Sequence, residues 1–345
     1  MNAFPSMSLS DNRKSAIQNP KWLGLSVIAF VLVVAGARAE AQQSTKVPRI
    51  GFLNAASPAA ILARYEAFRQ GLRELGYVEG KNIVIEYRHA DGKLDRLREL
   101  AAEFVRLKVD VIVTAGPSAT RSAKEATVTI PIVMAFDYDP VGSGAVANLA
   151  RPGANITGLS ALYPEMSGKR LELLKEIVPK FSRVAILGSS TQPGNAQALK
   201  EMELAARTLG VQLQYLEVRV PKDIETAFQA ATKGRAEAVL VLTSPVLVSQ
   251  RTQLADLAVK SGVPATYQAS EYVEAGGLMS YGVNIADLHR RAATYVDRIL
   301  KGAKPAGLPV EQPTKFELII NLKAANQIGL TIPPNVLARA DRVIK

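Results

Sequence analysis

The chain has 345 residues, 48% of them hydrophobic and 21% charged, with a formal net charge of +11 and no cysteine. That length suits one large or two mid-sized domains, and the apolar content excludes a disordered chain. Absence of cysteine removes disulfides, thiolate metal sites, cysteine nucleophiles and a lipid-modified cysteine, and with only His89 and His289 a multi-histidine metal centre or Ser/His triad has little to draw on.

In chain order, Arg13, Lys14 and Lys21 precede an apolar run over 22–37, after which small residues occupy Ala37, Ala39 and Ala41. A basic start, a hydrophobic centre and an A-x-A site predict an export signal over 1–41, cleaved after Ala39 or Ala41. The run is short for a membrane span. Downstream the bases are scattered and no stretch interleaves them with several aromatics, so the charge reads as a solvated surface and no nucleic-acid partner is expected.

From residue 47 on, short β-branched runs alternate with segments of helical period. Strands are predicted over 47–53, 83–87, 109–114 and 132–135, and helices over 61–75, 94–107 and 117–126. In the second helix Leu94, Leu97, Leu100, Ala101, Phe104 and Leu107 recur at spacings of three and four, which gives one apolar face. The strands are apolar on both faces, as in a parallel sheet covered by helices on each side.

The pattern then begins again. Arg183-Val184-Ala185-Ile186-Leu187 echoes Arg49-Ile50-Gly51-Phe52-Leu53, and the same interval leads from each arginine to a Leu-Gly pair, at Gly76 and Gly210. Arg88 and Arg219 end the next strand of each copy, and Pro117 and Pro245 follow the strand after that. Several coincidences in one order predict two equivalent lobes. Three segments are expected to cross between them: the run from Arg151-Pro152-Gly153 to Gly158, the run from Gly276 to Gly282 ahead of a long helix over 285–301, and 304–313 with its three prolines. The expected division is 47–158 with 283–308 for the first lobe and 159–282 with 309–345 for the second. Three tethers permit hinge closure around a cleft.

Ligands of open α/β sheets sit beyond the carboxyl ends of the strands. In the first lobe those ends carry Asn54 and Ser57, then Thr114, Gly116 and Ser118, then Asp137. The glycine and the proline that opens the following helix leave backbone N–H groups which, with the hydroxyls of Thr114 and Ser118, suit a carboxylate. In the second lobe the candidates are Ser189, Ser190 and Asn195, then Thr243, then Tyr267 and Glu271, while Tyr163 and Tyr281 lie near crossovers and offer rings with polar tips. Enzyme motifs fail. Ser167-Gly168-Lys169 has Tyr163 where a phosphate loop needs its first glycine, and Gly142-Ser143-Gly144-Ala145-Val146-Ala147 stands too far beyond its strand for a dinucleotide turn. No catalytic residue, cofactor or metal is assigned.

Four segments carry a family resemblance: Phe68-Arg69-Gln70-Gly71-Leu72-Arg73-Glu74-Leu75-Gly76-Tyr77, Asp139-Pro140-Val141-Gly142, the run from Arg151 to Gly158, and the ending Gln312-Pro313-Thr314-Lys315-Phe316-Glu317-Leu318-Ile319-Ile320-Asn321-Leu322-Lys323 with Gly329-Leu330-Thr331-Ile332-Pro333-Pro334. From about residue 47 the chain resembles the periplasmic solute-binding proteins of ABC importers, type I class, and within them the subgroup related to tryptophan and tyrosine transporter binding proteins. The resemblance implies an α/β fold of two doubly wound, Rossmann-like lobes with parallel sheets and three crossovers. It implies a periplasmic monomer that captures a small polar solute, foremost an amino acid and an aromatic one among these, and hands it to a membrane permease. It also implies Asp137 as partner of a solute ammonium, and it sets Tyr138 apart, because relatives often carry a small residue there. A sugar, nucleoside or dicarboxylate on the same fold, or a ligand-sensing receptor partner, stay open as alternatives.

Overall fold

The computed structural model describes residues 46–345; the predicted export signal and its cleavage sites lie outside the described residues. The β-branched runs of the first half become β1 (Arg49–Asn54), β2 (Val84–His89), β3 (Val111–Ala115), β4 (Ile132–Asp137) and β5 (Ile156–Ser160), all parallel in the order β2-β1-β3-β4-β5. The second half supplies β6 (Arg183–Gly188), β7 (Gln212–Glu217), β8 (Ala238–Val241), β9 (Ala265–Tyr267), β10 (Met279–Gly282), β11 (Glu317–Asn321) and β12 (Arg342–Ile344). These form a seven-stranded sheet in the order β12-β11-β10-β9-β8-β6-β7, antiparallel only where β10 meets β11. Read from β7 inward, its first five strands repeat the order of the other sheet. The duplication read from sequence is a duplication of topology.

Helices cover the faces as a parallel sheet requires. They are α1 (Leu62–Glu74), α2 (Leu97–Arg106) and α3 (Pro117–Ala126) in the first lobe, then α4 (Tyr163–Ile177), α5 (Asn195–Leu209), α6 (Asp223–Lys233), α7 (Pro245–Ser249), α8 (Arg251–Lys260) and α9 (Ser270–Glu274) in the second. The long α10 (Ile285–Leu300) returns to the first lobe, and α11 (Leu322–Gln327) and α12 (Pro334–Leu337) close the chain. The stripe predicted for α2 is the buried one: Leu97, Leu100, Ala101 and Phe104 are inside, with Leu94 and Leu107 half-buried at its ends. No helix among the described residues is long and apolar enough to cross a membrane.

Among the described residues the chain passes between the lobes three times. The second crossing follows Gly282, as expected, and the third falls inside the expected 304–313 segment. The first comes two residues beyond the expected run from Arg151 to Gly158. The Pro-Gly segment ends in β5, the edge strand of the first sheet, with Ser160 opposite Asp137, so the first crossing follows Ser160. Gly158 sits there at φ +133, a conformation that favours glycine. The segment from Gly276 ends in β10, still in the second sheet, and the crossing comes after Gly282. The proline-rich segment stays with the first lobe as far as Glu311, which pairs with Leu159, while Val310 is buried in that lobe's core. At the first crossing backbone pairing holds the chain to its lobe beyond the Pro-Gly turn that suggested a linker, and at the third it does so beyond Pro309.

One buried cluster runs through both lobes, joining Phe52, Phe136 and Ala161 to Val241, Leu247 and Ala269, so the lobes meet face to face. Within the first lobe α10 lies directly on α1. Gly71 makes this possible, because a Cβ there would overlap the Arg290 carbonyl oxygen and stand 2.9 Å from the Ala293 Cβ. Gly71→Ala should therefore force the helices apart at a cost of about 1–3 kcal/mol. Urea denaturation checks this, and an unchanged midpoint would show that the pair is not close-packed.

Candidate ligand-binding cleft

Because both sheets share one strand order, each has its topological switch beside its first strand, and the carboxyl ends there face the other lobe. Two small cavities lie between these rims. The outer one, about 30 Å³, is lined by Asn54, Gly116, Ser118, Phe136 and Tyr138 from the first lobe and by Gln192, Ser244, Pro245 and Val248 from the second, with Arg64 of α1. The inner one, about 20 Å³, shares Arg64, Phe136, Tyr138 and Val248 and adds Ala161, Tyr163, Arg170, Thr243, Gln268, Ala269, Val283 and Ile285. Each has room for a water molecule or two and no more. Tyr138 is one of the four residues that line both.

Polar contacts hold the rims together. The Tyr138 and Thr243 hydroxyls are hydrogen-bonded at 2.7 Å, and Arg64 Nε donates to Glu271 Oε1 at 2.8 Å. At the mouth Arg251 donates to the Ala60 carbonyl oxygen, and the Ser118 hydroxyl reaches Gln192 at 3.5 Å. The cleft is closed. Burial pushes the Glu271 carboxyl up, but the Arg64 guanidinium outweighs it and holds the acid below its ordinary value. For Arg64 too, the carboxylate outweighs the burial that opposes its charge.

Of the residues singled out from sequence, Asn54, Gly116, Ser118, Tyr163 and Thr243 line the cavities. Asn54 Oδ1 accepts from the Ala56 N–H, and the Tyr163 hydroxyl accepts from the Thr243 N–H, so both also shape the loops they stand on. The others lie off the walls. Ser57 precedes a short 3-10 turn and is half-buried outside both cavities. Thr114 is wholly buried, its hydroxyl 2.9 Å from that of Thr120, and the Gly116 N–H is taken by the Phe136 carbonyl oxygen. The loop thus offers fewer free donors than its sequence suggests.

Asp137 points away from the cleft, because Phe136 and Tyr138 on either side of it line the cavities. Its Oδ1 accepts from the Asp139 N–H and Oδ2 has no partner. Burial raises its carboxyl to about 7. In the second lobe the Ser189 hydroxyl bonds Thr191, and Ser190 is exposed with its N–H on Glu217. Asn195 is a brace whose Nδ2 donates to the Ser189 and Thr243 carbonyl oxygens. Tyr267 is buried against Tyr272, and Glu271 acts on the cleft through Arg64. Tyr281 contributes its carbonyl oxygen to Arg170 while its ring lies by Phe316.

Sequence reasoning missed Arg64, Arg170, Gln192, Ser244 and Gln268. A signal existed for the arginines. Arg170 shares the buried stripe of α4 with Ser167, Leu171 and Leu174, and Arg64 that of α1 with Phe68 and Leu72. A charge on an apolar stripe has to be paired or used.

Comparison with known proteins agrees with this architecture. A family model described as ABC transporter substrate binding protein matches residues 49–344. A conserved domain protein of Vibrio cholerae has a similar structure, with TM-score 0.81 and 30% identity over 86% of this chain and 100% of that one. The ABC domain from Streptococcus pneumonia in complex with L-Trp gives TM-score 0.80 and 27% identity over 86% and 99%. The tyrosine-binding protein of Clostridioides difficile (strain R20291) is 24% identical over 278 residues, 81% of this chain and 80% of that protein.

Two outcomes are expected from the cleft geometry. Glu271→Ala leaves Arg64 buried without its acid, which penalises the closed form by about 3–5 kcal/mol. Small-angle scattering should then show a larger radius of gyration than for the parent chain, and identical profiles would remove the pair from closure. For Asp137, the folded chain keeps a proton that the unfolded chain releases near its ordinary 3.8, so stability falls as pH rises from there towards about 7. Asp137→Asn removes that slope. Its melting temperature relative to the parent should improve between about pH 5 and about pH 8, and a constant difference would contradict the assignment.

Proposed function

The chain belongs to the ABC transporter substrate binding protein family, and from that premise we propose that it captures an amino acid, with aromatic side chains favoured, in the cleft between its lobes and presents the closed form to a membrane permease. The observation that carries this reading is the wall itself. Strand ends of both lobes contribute to the same two cavities, so a solute bound there touches both rims at once. Phe136, Tyr138 and Tyr163 supply ring surface beside polar groups, which suits a solute with an aromatic body and a polar head. The L-Trp complex and the tyrosine-binding relative support the same class.

A solute of that size does not fit the closed cavities as they stand. The lobes open, the Tyr138–Thr243 contact parts, and the solute takes the place of that contact on closing. Affinity then arises from how much better the closed form holds the solute than the open one. The site is Asn54, Gly116, Ser118, Tyr163 and Thr243 together with Arg64, Tyr138, Gln192 and Gln268. We assign as moving bodies the lobes expected from sequence, with the boundary after Gly282 kept and the other two moved to Ser160 and Glu311, where backbone pairing ends. No bond is made or broken. The protein is exported by its first 41 residues and works as a monomer in the periplasm.

Thermal-shift screening followed by calorimetry tests the solute class. L-tryptophan or L-tyrosine should raise the melting temperature and titrate with one site per chain, and stabilisation by sugars with no response to any amino acid would replace the reading.

A further inference from the structure

Charge around the inner cavity does not balance, and the imbalance deepens the amino-acid reading on which this inference rests. Arg170 is 1% exposed and lines the cavity from the second lobe. Its Nε donates to the Tyr281 carbonyl oxygen at 2.8 Å, its Nη1 to the Ser167 hydroxyl at 3.2 Å, and its guanidinium carbon lies 4.7 Å from the centre of the Tyr163 ring. All three partners are neutral. Among the described residues the buried arginine that shares this cavity, Arg64, has Glu271 as its acid, whereas Arg170 forms no ion pair. Two guanidinium groups therefore share one carboxylate.

Burial works against the charge on Arg170, yet a guanidinium stays ionised at neutral pH. A desolvated cation without a counter-ion is costly and persists where a partner arrives to neutralise it. Gln268 on the same wall is in the complementary position. Its Nε2 donates to the Tyr272 hydroxyl at 3.2 Å, while its Oε1 is buried with no hydrogen-bond partner. The cavity thus presents an unpaired cation and an unpaired acceptor. The outer cavity differs, since Gly116 and Ser118 stand there and the Gly116 N–H is already used.

We propose that Arg170 is the anion receptor of this cleft: the solute's carboxylate docks on Arg170 with Arg64 alongside, its ammonium is accepted by Gln268 Oε1, and its side chain extends past Tyr138 into the outer cavity. The head of the solute is then held by the second lobe. Asn54, Ser118 and Gln192 are left to read its side chain.

The test pairs each amino acid with its stripped analogues on the full chain. Calorimetry is run with L-tyrosine, tyramine and 3-(4-hydroxyphenyl)propionate, with L-tryptophan and tryptamine, with benzoate and succinate as amine-free carboxylates, and with myo-inositol as a neutral probe. The tightest probe should carry a carboxylate, and its decarboxylated partner should bind about 30-fold more weakly or worse. Arg170→Met should weaken the carboxylate probe by a similar factor and erase the preference over the amine, and Arg170→Lys should recover part of it. With its unpaired charge gone, Arg170→Met should melt no lower than the parent, which separates a binding defect from a folding one. If it does not fold, the Arg170→Lys variant and the tyrosine–tyramine pair on the parent chain decide the question. Equal binding of L-tyrosine by parent and Arg170→Met overturns the receptor and leaves the amino-acid reading standing. Binding of benzoate or succinate through Arg170, with every amino acid silent, keeps the receptor and overturns the amino-acid reading. Tightest binding of tyramine or myo-inositol, or no carboxylate bound at all, overturns the receptor.

Discussion

A guanidinium at the seam between two lobes is a condition on how they meet. Arg64 is buried when the lobes are together, and the acid that makes this tolerable, Glu271, belongs to the other lobe. In the opening proposed above, both groups would return to water. On closing, they exchange hydration for each other, an exchange that breaks roughly even for a well-formed buried pair. The pair therefore specifies the closed geometry without strongly favouring it. That is the balance a receptor needs, because a closed state already stable by several kcal/mol would leave a solute little to shift.

The rest of the fold serves to present that seam. Two sheets with one strand order place equivalent rims opposite each other, and rims built from strand ends carry backbone and side-chain polar groups unused by the sheet. Anchoring is as important as placement. The α10 helix reaches back from the second lobe and is seated on α1, the helix that carries Arg64, through the close approach at Gly71. A shift at that helix pair would move the guanidinium relative to Glu271, so packing remote from the cleft sets the precision of its charge pairing. The three crossings are short because pairing extends to Ser160, to Gly282 and to Glu311. Rotation has few residues in which to occur, and a hinge with few joints guides the rims along a restricted path.

What the sequence revealed follows from what each signal measures. Runs such as Val111-Ile112-Val113 and Val239-Leu240-Val241 are legible because burial on both faces leaves no polar alternation, and the repeated order of these runs gave the two lobes. The first crossing lies beyond the Pro-Gly run because Pro-Gly marks a turn, and a turn that leads into an edge strand looks the same as one that leads into a linker. The site was half legible. Strand ends can be located from sequence, but which residue of an end faces the cleft depends on parity, and the ladder is irregular on both sides of β4, between Thr114 and Ala115 and between Met134 and Asp137. Asp137 thereby exchanges faces with Phe136 and Tyr138. The helix-borne arginines lie outside the strand-end loops where ligands of open α/β sheets are expected, although their place on buried stripes is legible in the sequence.

Closure also bears on which solutes the cleft can hold. Two cavities that each accommodate little more than water share Arg64, Phe136, Tyr138 and Val248 as lining. Among these Tyr138 is fastened to the other lobe by a hydroxyl pair, a neutral hydrogen bond of modest net worth. The buried pair between Arg64 and Glu271 is far harder to rearrange, since either group alone is left with an uncompensated charge. On the proposed reading the ring is therefore the part that a solute would displace, and the charged wall behind it the part that would stay. Selectivity then divides along the same line. In the proposed pose the head of the solute would meet side chains that cannot move without cost, so its charge pattern would be demanded. Its body would meet a phenol held across the cleft by one neutral hydrogen bond, so its size would be limited by the room that Phe136, Val248 and the two facing rims leave once that bond parts.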